Sequence, residues 1–265
     1  MGKLVSVVLC GSMWLWTSSA LAEEVSQTIG HGKINWSTKT ITATGSGAPN
    51  LKAPNVAVAR LGAERAAKMD ALRNILEAVK GVRVSGVESA GSRMDAAPEV
   101  KAKVEGIVRR FKVLDTKYYS DGGVDVIVEV ALDGVLTETL VSEAGAKAAS
   151  SSADPSGTTG VIINAKGLGV TPALAPRILN DKGQEIYGSN LVTADAVKKH
   201  GVAGYSKSLD SAIRDSRVAD KPLIVRAQKL SAAGGSDVVI SGEDAAKVGQ
   251  LATLLAGGKV IFVTD

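Results

Sequence analysis

The longest helical pattern in the chain, Val56 to Lys80, is bracketed by two extended runs, and few architectures accept that arrangement. Before it, Thr40-Ile41-Thr42-Ala43-Thr44 breaks at Gly45-Ser46-Gly47. After it, Gly81 leads into Val82-Arg83-Val84-Ser85-Gly86-Val87. A period of two, then of 3.6, then of two again reads as strand, helix, strand. On the helix, Met69, Leu72, Leu76 and Val79 recur at three- and four-residue spacing and form the expected apolar stripe. Gly62 and Ala66 leave a neighbouring face small enough to lie close to a sheet. Arg60, Glu64, Arg65, Lys68, Asp70 and Arg73 supply a solvated side, with Glu64 and Lys68 in the favourable i, i+4 order. Gly45 and Gly47 are read as freeing the backbone to turn, and Pro54 as favouring a helix start.

The rest of the first half completes a sheet around this unit. Ile34, Trp36 and Thr38 alternate, Lys39-Thr40 interrupts, and Ile41 resumes the period. A polar stretch from Ser89 to Ala97 leads to Pro98 and a short helix in which Val100, Val104, Ile107 and Val108 share a face. Phe111 and Val113 open another strand. Asp121-Gly122-Gly123 is a hairpin signal. Val124, Val126, Val128, Val130 and Leu132 then alternate strictly, with Asp125 and Glu129 opposite, and Gly134 to Val141 closes with a short helix. The order β-α-β-α-β-β predicts an α+β domain over residues 33–142, its helices packed on a largely antiparallel sheet.

The first residues read as an address. Lys3 precedes an apolar run, Leu4 to Trp16, that is too short to cross a bilayer comfortably. Ala20-Leu21-Ala22 supplies a cleavage signature ahead of Glu23, so residues 1–22 are expected to be a signal peptide and the chain to be exported. Cys10 lies inside the apolar run after Leu9, the wrong place for a lipid anchor. It is the single cysteine, so the mature chain has no thiol for catalysis, metal binding or disulfides. Removing Lys3 lowers the net charge from +4 to +3, too even a balance to demand nucleic acid. Aromatic residues make up 3% of the chain, few for a groove that stacks bases or sugars.

Asn35-Trp36 with Ile41-Thr42-Ala43-Thr44-Gly45-Ser46-Gly47, then Ala59-Arg60-Leu61-Gly62-Ala63-Glu64-Arg65-Ala66-Ala67 running into Ala71-Leu72-Arg73-Asn74, resembles the twenty-kilodalton bacterial surface lipoprotein family. Val104-Glu105-Gly106 and the valine strand after Asp121-Gly122-Gly123 fit the same pattern, and the likeness covers roughly Lys33 to Leu140. The resemblance implies an envelope location and a scaffolding or assembly role, since such domains also occur in proteins that build the outer-membrane ring of bacterial flagella. The chain departs from that family in lacking the lipobox cysteine, which implies a periplasmic or secreted version.

Residues 144–160 are poor in apolar side chains, rich in Ser, Ala and Gly, and read as a flexible linker. Residues 161–265 form a second, mixed α/β domain, and the two are expected to fold independently. Val161 to Ala165 is a buried-type strand. Gly167-Leu168-Gly169 lacks the third glycine and the following helix of a dinucleotide loop, and is read as a bend. Asn180-Asp181-Lys182-Gly183 predicts a hairpin. Thr193 and Ser208 are expected helix caps, and Ser241 with Asp244 opens a helix through Leu255. Pro222–Leu230, Asp237–Ile240 and Val260–Val263 read as strands.

No catalytic, cofactor or metal site emerges. His31 and His200 lack acidic neighbours at ligand spacing, and no serine-hydrolase motif is present. The leading reading is a non-enzymatic cell-envelope protein, periplasmic or outer-membrane associated. It would act as a structural or assembly component and bind other envelope proteins or copies of itself, with no nucleic acid and no lipid anchor, though with membrane contact open. Its candidate interaction residues are Val124, Val126, Val128 and Val130, as a sheet edge for strand addition, and Lys101, Arg109 and Arg110, in the densest basic stretch. The alternative is a periplasmic small-ligand binder or enzyme with its site between the domains near Gly167–Pro176, drawing on Arg177, Asp181 or Glu185.

Overall fold

The computed structural model describes residues 24–141, 157–232 and 234–265. The expected signal peptide with Cys10, and residues 144–156 of the expected linker, lie outside the described residues. The first half runs β1 (Ser26–Ile29), β2 (Gly32–Asn35), β3 (Thr40–Gly47), α1 (Val56–Gly81), α2 (Ala90–Ala96), α3 (Pro98–Val108), β4 (Lys112–Tyr118), β5 (Val124–Ala131) and α4 (Val135–Leu140). Its five strands form one antiparallel sheet in the order β1-β2-β3-β5-β4. The mixed α+β class, with helices on an antiparallel sheet, is as expected.

Helix α1 packs across β3 and β5 through Ala63, Ala67, Ala71, Ile75, Ala78 and Val79, all buried. The stripe predicted on Met69 is rotated away: Met69 is exposed, Leu72 and Leu76 are half-buried, and both Gly62 and Ala66 face solvent. The cause is the strand beneath. Gly45 and Gly47 are interior residues of β3, not a turn. A Cβ at Gly45 would lie 2.1 Å from the Ala71 backbone nitrogen, and one at Gly47 would lie 2.0 Å from the Ala63 carbonyl oxygen. Glycine below and alanine above bring backbone onto backbone, so the small residues mark the contact face. Asn55 starts α1, its side chain accepting from the Val58 N–H at 2.9 Å.

Residues 82–87 do not pair as a strand. Val82 and Val84 are buried anchors of a folded-back loop, closed by hydrogen bonds from the Val84 and Ser85 N–H groups to the Glu88 carbonyl. A loop that inserts every second residue into the core mimics the period of a strand.

The second half runs β6 (Val161–Asn164), β7 (Ile178–Leu179), β8 (Glu185–Tyr187), a 3-10 turn (Ser189–Leu191), α5 (Ala194–His200), β9 (Gly204–Ser206), α6 (Leu209–Ile213), β10 (Leu223–Arg226), β11 (Lys229–Ser231), β12 (Gly234–Val239), α7 (Gly242–Gly249), α8 (Ala252–Ala256) and β13 (Val260–Val263). A parallel sheet, β10-β6-β13-β9, is fully buried at β13; a mixed sheet, β11-β12-β7-β8, stands beside it. Thr193, Ser208 and Ser241 cap α5, α6 and α7. The 180–183 turn joins β7 to β8, with the Asn180 side chain accepting from the Lys182 and Gln184 N–H groups. Two expected elements are divided. Pro222–Leu230 splits between β10 and β11, which belong to different sheets, and the helix from Ser241 breaks after Gly249, where glycine weakens a helix interior.

The halves are in direct contact, not two beads on a tether. Trp36, in the β2–β3 turn, meets Tyr205 of β9 edge to face at 5.6 Å, and Tyr205 meets Phe262 of β13 at 5.8 Å. The Arg83 and Val84 carbonyls of the folded-back loop accept from the Leu174 and Ala175 N–H groups at 2.9 and 2.8 Å. One apolar cluster runs through both halves.

Candidate functional site

The residues singled out for binding fall into two groups with different fates. Val124, Val126, Val128 and Val130 are buried, and β5 is hydrogen-bonded to β3 on one side and β4 on the other. Their strict alternation reflects an interior strand under a helix layer, so β5 offers no edge. The edge on that side is β4. Lys101, Arg109 and Arg110 are exposed, Arg109 lying 3.9 Å from Glu105. With Lys103, Lys112 and Lys117, also exposed, they are spread over α3, the α3–β4 connection and β4 itself.

β4 is an edge strand, exposed along most of its length. Val113, Leu114 and Tyr118 are 40%, 44% and 51% exposed, and a register shift between Val113 and Asp115 puts two adjacent apolar side chains in solvent. Above it, α1 presents the exposed Val56, Val58 and Leu61. Arg60 sits over the Tyr118 ring at 5.4 Å, and the Tyr118 hydroxyl donates to Glu64 at 3.2 Å. A cavity of about 390 Å³ opens between Pro49–Asn55, the start of α1 and the Ser120–Gly122 turn. The Tyr119 hydroxyl donates to Asp125 at 2.7 Å, which raises the phenol pKa, and hydrogen bonds from Ser46 and then from Tyr119 lower that of the carboxyl.

Gly167 to Pro176 lies on the seam between the halves. Gly167 and Gly169 adopt φ of +81° and +66°, and their N–H groups donate to the Asp265 carboxylate at 2.9 to 3.3 Å. The donors a phosphate would need are taken by the chain's own acid, consistent with a bend. Ala173 is pinned by the Tyr205 hydroxyl, which donates to its carbonyl at 2.8 Å and accepts from its N–H at 2.9 Å.

Two clefts of a few hundred cubic ångströms cross the seam, beside a void of about 20 Å³ lined by Trp36, Lys39, Ala173, Leu174 and Tyr205. The first, about 210 Å³, gathers Arg177 and Glu185 with Ser85, Glu88 and Arg93 of the first half. Asp181 is not among them. The cleft's charges are paired locally: Arg93 forks onto Glu88 at 2.7 and 3.1 Å and donates to the Leu140 carbonyl, while Arg177 donates twice to the Oδ2 oxygen of the buried Asp237, at 2.7 and 2.9 Å. The Arg93–Glu88 pair is bidentate, and both pairs hold local structure and leave little charge for a ligand.

The second cleft, about 430 Å³, is lined by Trp36, Ser37 and Lys39 of the first half and by His200, Tyr205, Asp215, Ser216, Arg217 and Lys259 of the second. Lys39 occupies the left-handed region at φ +55° in the β2–β3 turn, which aims its side chain across the seam. Its ammonium and the Arg217 guanidinium both donate to the His200 carbonyl at the end of α5, and Arg217 also donates to the Gly258 carbonyl at 2.7 Å. Burial, then the charge of Arg217, pushes the Lys39 ammonium down to about 7, against the weaker pull of Asp133 and Asp215. Burial and the cations Arg217, Lys39, Lys199 and Lys259 lower the His200 imidazole. His200 and His31 are exposed, and among the described residues no group of His, Cys, Asp and Glu could hold a metal ion. Lys39 and Arg217 lie far apart in sequence, and the only local hint of the pairing is that Lys39 interrupts an extended run.

Residues 160–265 match a family model described as Treponema pallidum Tp0624, second domain. The match starts one residue before β6 and covers the second half alone. No curated protein matches the chain.

Proposed function

We propose that this chain is an exported, non-enzymatic component of the bacterial cell envelope, periplasmic or outer-membrane associated, that works as a structural or assembly part through protein–protein contacts. The observation that carries the reading is β4: an edge strand with free main-chain groups on one side, the exposed apolar side chains Val113, Leu114 and Tyr118, and lysine and arginine around it. A soluble protein normally shields such an edge, and an exposed apolar patch rimmed by charge marks a docking surface. The occupant that fits is an extended acidic segment of another envelope protein, added to the sheet beside β4. Pairing β4 with β4 of a second copy would bring Lys112 and Lys117 against like charge. The resemblance of residues 33–142 to surface lipoproteins and flagellar ring proteins supports the envelope setting. Among the described residues, no helix is long and apolar enough to cross a membrane.

Leu114→Glu tests this. The side chain is exposed, so the fold should survive, while a carboxylate in the docking strand repels an acidic partner. Cross-linking in intact cells should give a defined envelope adduct for the wild type and lose it for the variant. Recovery of the monomer alone from wild-type cells, or an adduct undiminished in Leu114→Glu, contradicts the proposal.

A second reading, a small-ligand binder with its site between the halves, is favoured by the cationic cleft.

A further inference from the structure

We propose that the cleft between Lys39 and Arg217 is a binding site for a small phosphorylated organic molecule, held by its dianionic phosphate group. The site is independent of β4, and it adjoins the Gly167–Pro176 segment only through Tyr205, whose hydroxyl holds Ala173.

Three observations converge. The first is charge. Lys39, Arg217 and Lys259 line the cavity with Asp215 as the one carboxylate, and that carboxylate already accepts from the Arg217 backbone N–H at 2.8 Å. Among the described residues, none of the three cations forms an ion pair. The carbonyl end of α5 offsets only about half an elementary charge, so the Arg217 and Lys259 charges are left over in a partly desolvated place, and a bound anion would draw the proton back onto Lys39. Such an arrangement is costly without a counter-ion.

The second is an unmet donor. The Trp36 indole N–H is buried without a hydrogen-bond partner, in a residue that lines the cavity. Buried indole donors usually find an acceptor; this one is closed to solvent in the structure, so a ligand oxygen in the cleft reaches it once the ring tilts toward the cavity.

The third is shape. A cavity of about 430 Å³ lies in the range of small-molecule sites and leaves room for an organic remainder beyond the phosphate. Arginine offers a planar fork and lysine a point charge, the two donor types that share a tetrahedral oxyanion. A monocarboxylate would neutralise one cation and leave the others, which is why a dianion fits better.

Helix capping alone is the competing account: Lys39 and Arg217 would only bind the end of α5 and lock the halves. It leaves Lys259 and the indole without a role. Titration of the full chain with sulfate and with inorganic phosphate, at fixed ionic strength made up with chloride, separates the two. Sulfate stays a dianion across the pH range and removes the probe's own titration from the reading. Calorimetry should show one saturable site with sub-millimolar affinity for either ion. Lys39→Gln and Lys259→Gln should each weaken it about tenfold, and the indole N–H and Ser216–Arg217 amide signals of the wild type should shift in nuclear magnetic resonance spectra. Because that readout uses the wild type, a variant that misfolds does not blunt the test. Absence of saturable binding, or binding that leaves those signals and the Lys39→Gln affinity unchanged, overturns the proposal.

Discussion

Replacing Tyr205 by phenylalanine removes one oxygen from the seam and should cost more than most single-atom deletions. The hydroxyl serves both backbone groups of Ala173, donating at 2.8 Å and accepting at 2.9 Å, and Ala173 is 1% exposed. Without it, a buried N–H and a buried C=O lose their partner together. Each unsatisfied group costs about 1–3 kcal/mol, so the two together should cost about 2–6 kcal/mol. The ring remains, and with it the contacts to Trp36 and Phe262. Urea unfolding followed by circular dichroism and by tryptophan fluorescence measures the effect. For a slope of about 2–3 kcal/mol/M, the midpoint should fall by roughly 1 M or more. Both probes should move together, because the apolar cluster is shared between the halves. Tyr119→Phe is the control: its hydroxyl also binds a partner, Asp125, but in solvent, and it should change stability by no more than about 0.5 kcal/mol. A Tyr205→Phe midpoint shift as small as that of the control, or two separate transitions of which one moves, would refute the reasoning about the seam.

Gly45→Ala forces a methyl group into the α1 backbone and should destabilise by about 1–3 kcal/mol or more; an unchanged melting temperature would show that α1 can shift off β3 freely. Asn55→Ala removes the α1 cap and should cost about 1 kcal/mol, read by the same unfolding assay. Burial and then the Arg217 charge push the Lys39 ammonium from the ordinary lysine value of 10.5 down to about 7 in the folded chain, where it faces Arg217, Asp133, Asp215 and the His200 carbonyl. Between those pH values the unfolded chain keeps a proton that the folded chain has released, so stability should rise with pH from about 7 to about 10. In chloride buffers free of multivalent anions, Lys39→Met should flatten that rise; a profile identical to wild type would remove Lys39 from the buried network.

Much of the frame could be read from residue order because its causes are local. Thr193, Ser208 and Ser241 cap helices through their own side chains, the Asp121-Gly122-Gly123 turn closes through its own donors, and the β5 valines alternate because one face is buried. The errors arose where a partner distant in sequence decides the meaning of a residue. Gly45 and Gly47 look like a turn until α1 is laid over them, and the alanines of α1 look neutral until those glycines make them the closest face. Val82 and Val84 look like a strand because burial of alternate residues has one sequence signature, whether the backbone pairs with a neighbour or folds back. The β5 valines seemed an interaction surface for the same reason: alternation reports a buried face and says nothing of which strand is the edge. The cationic cleft was illegible, since Lys39 and Arg217 belong to different halves and meet only when those halves close on each other.

The claim that β4 is the docking element is tested most directly by placing a photoactivatable side chain at Leu114 and Tyr118, with Lys182 and Lys247 as exposed controls on the second half, and irradiating living cells. The account predicts that both β4 positions cross-link to one envelope protein, through neighbouring residues of a single extended segment, and that the controls do not. Adducts from the control positions alone, or β4 positions that yield only monomer, would contradict it.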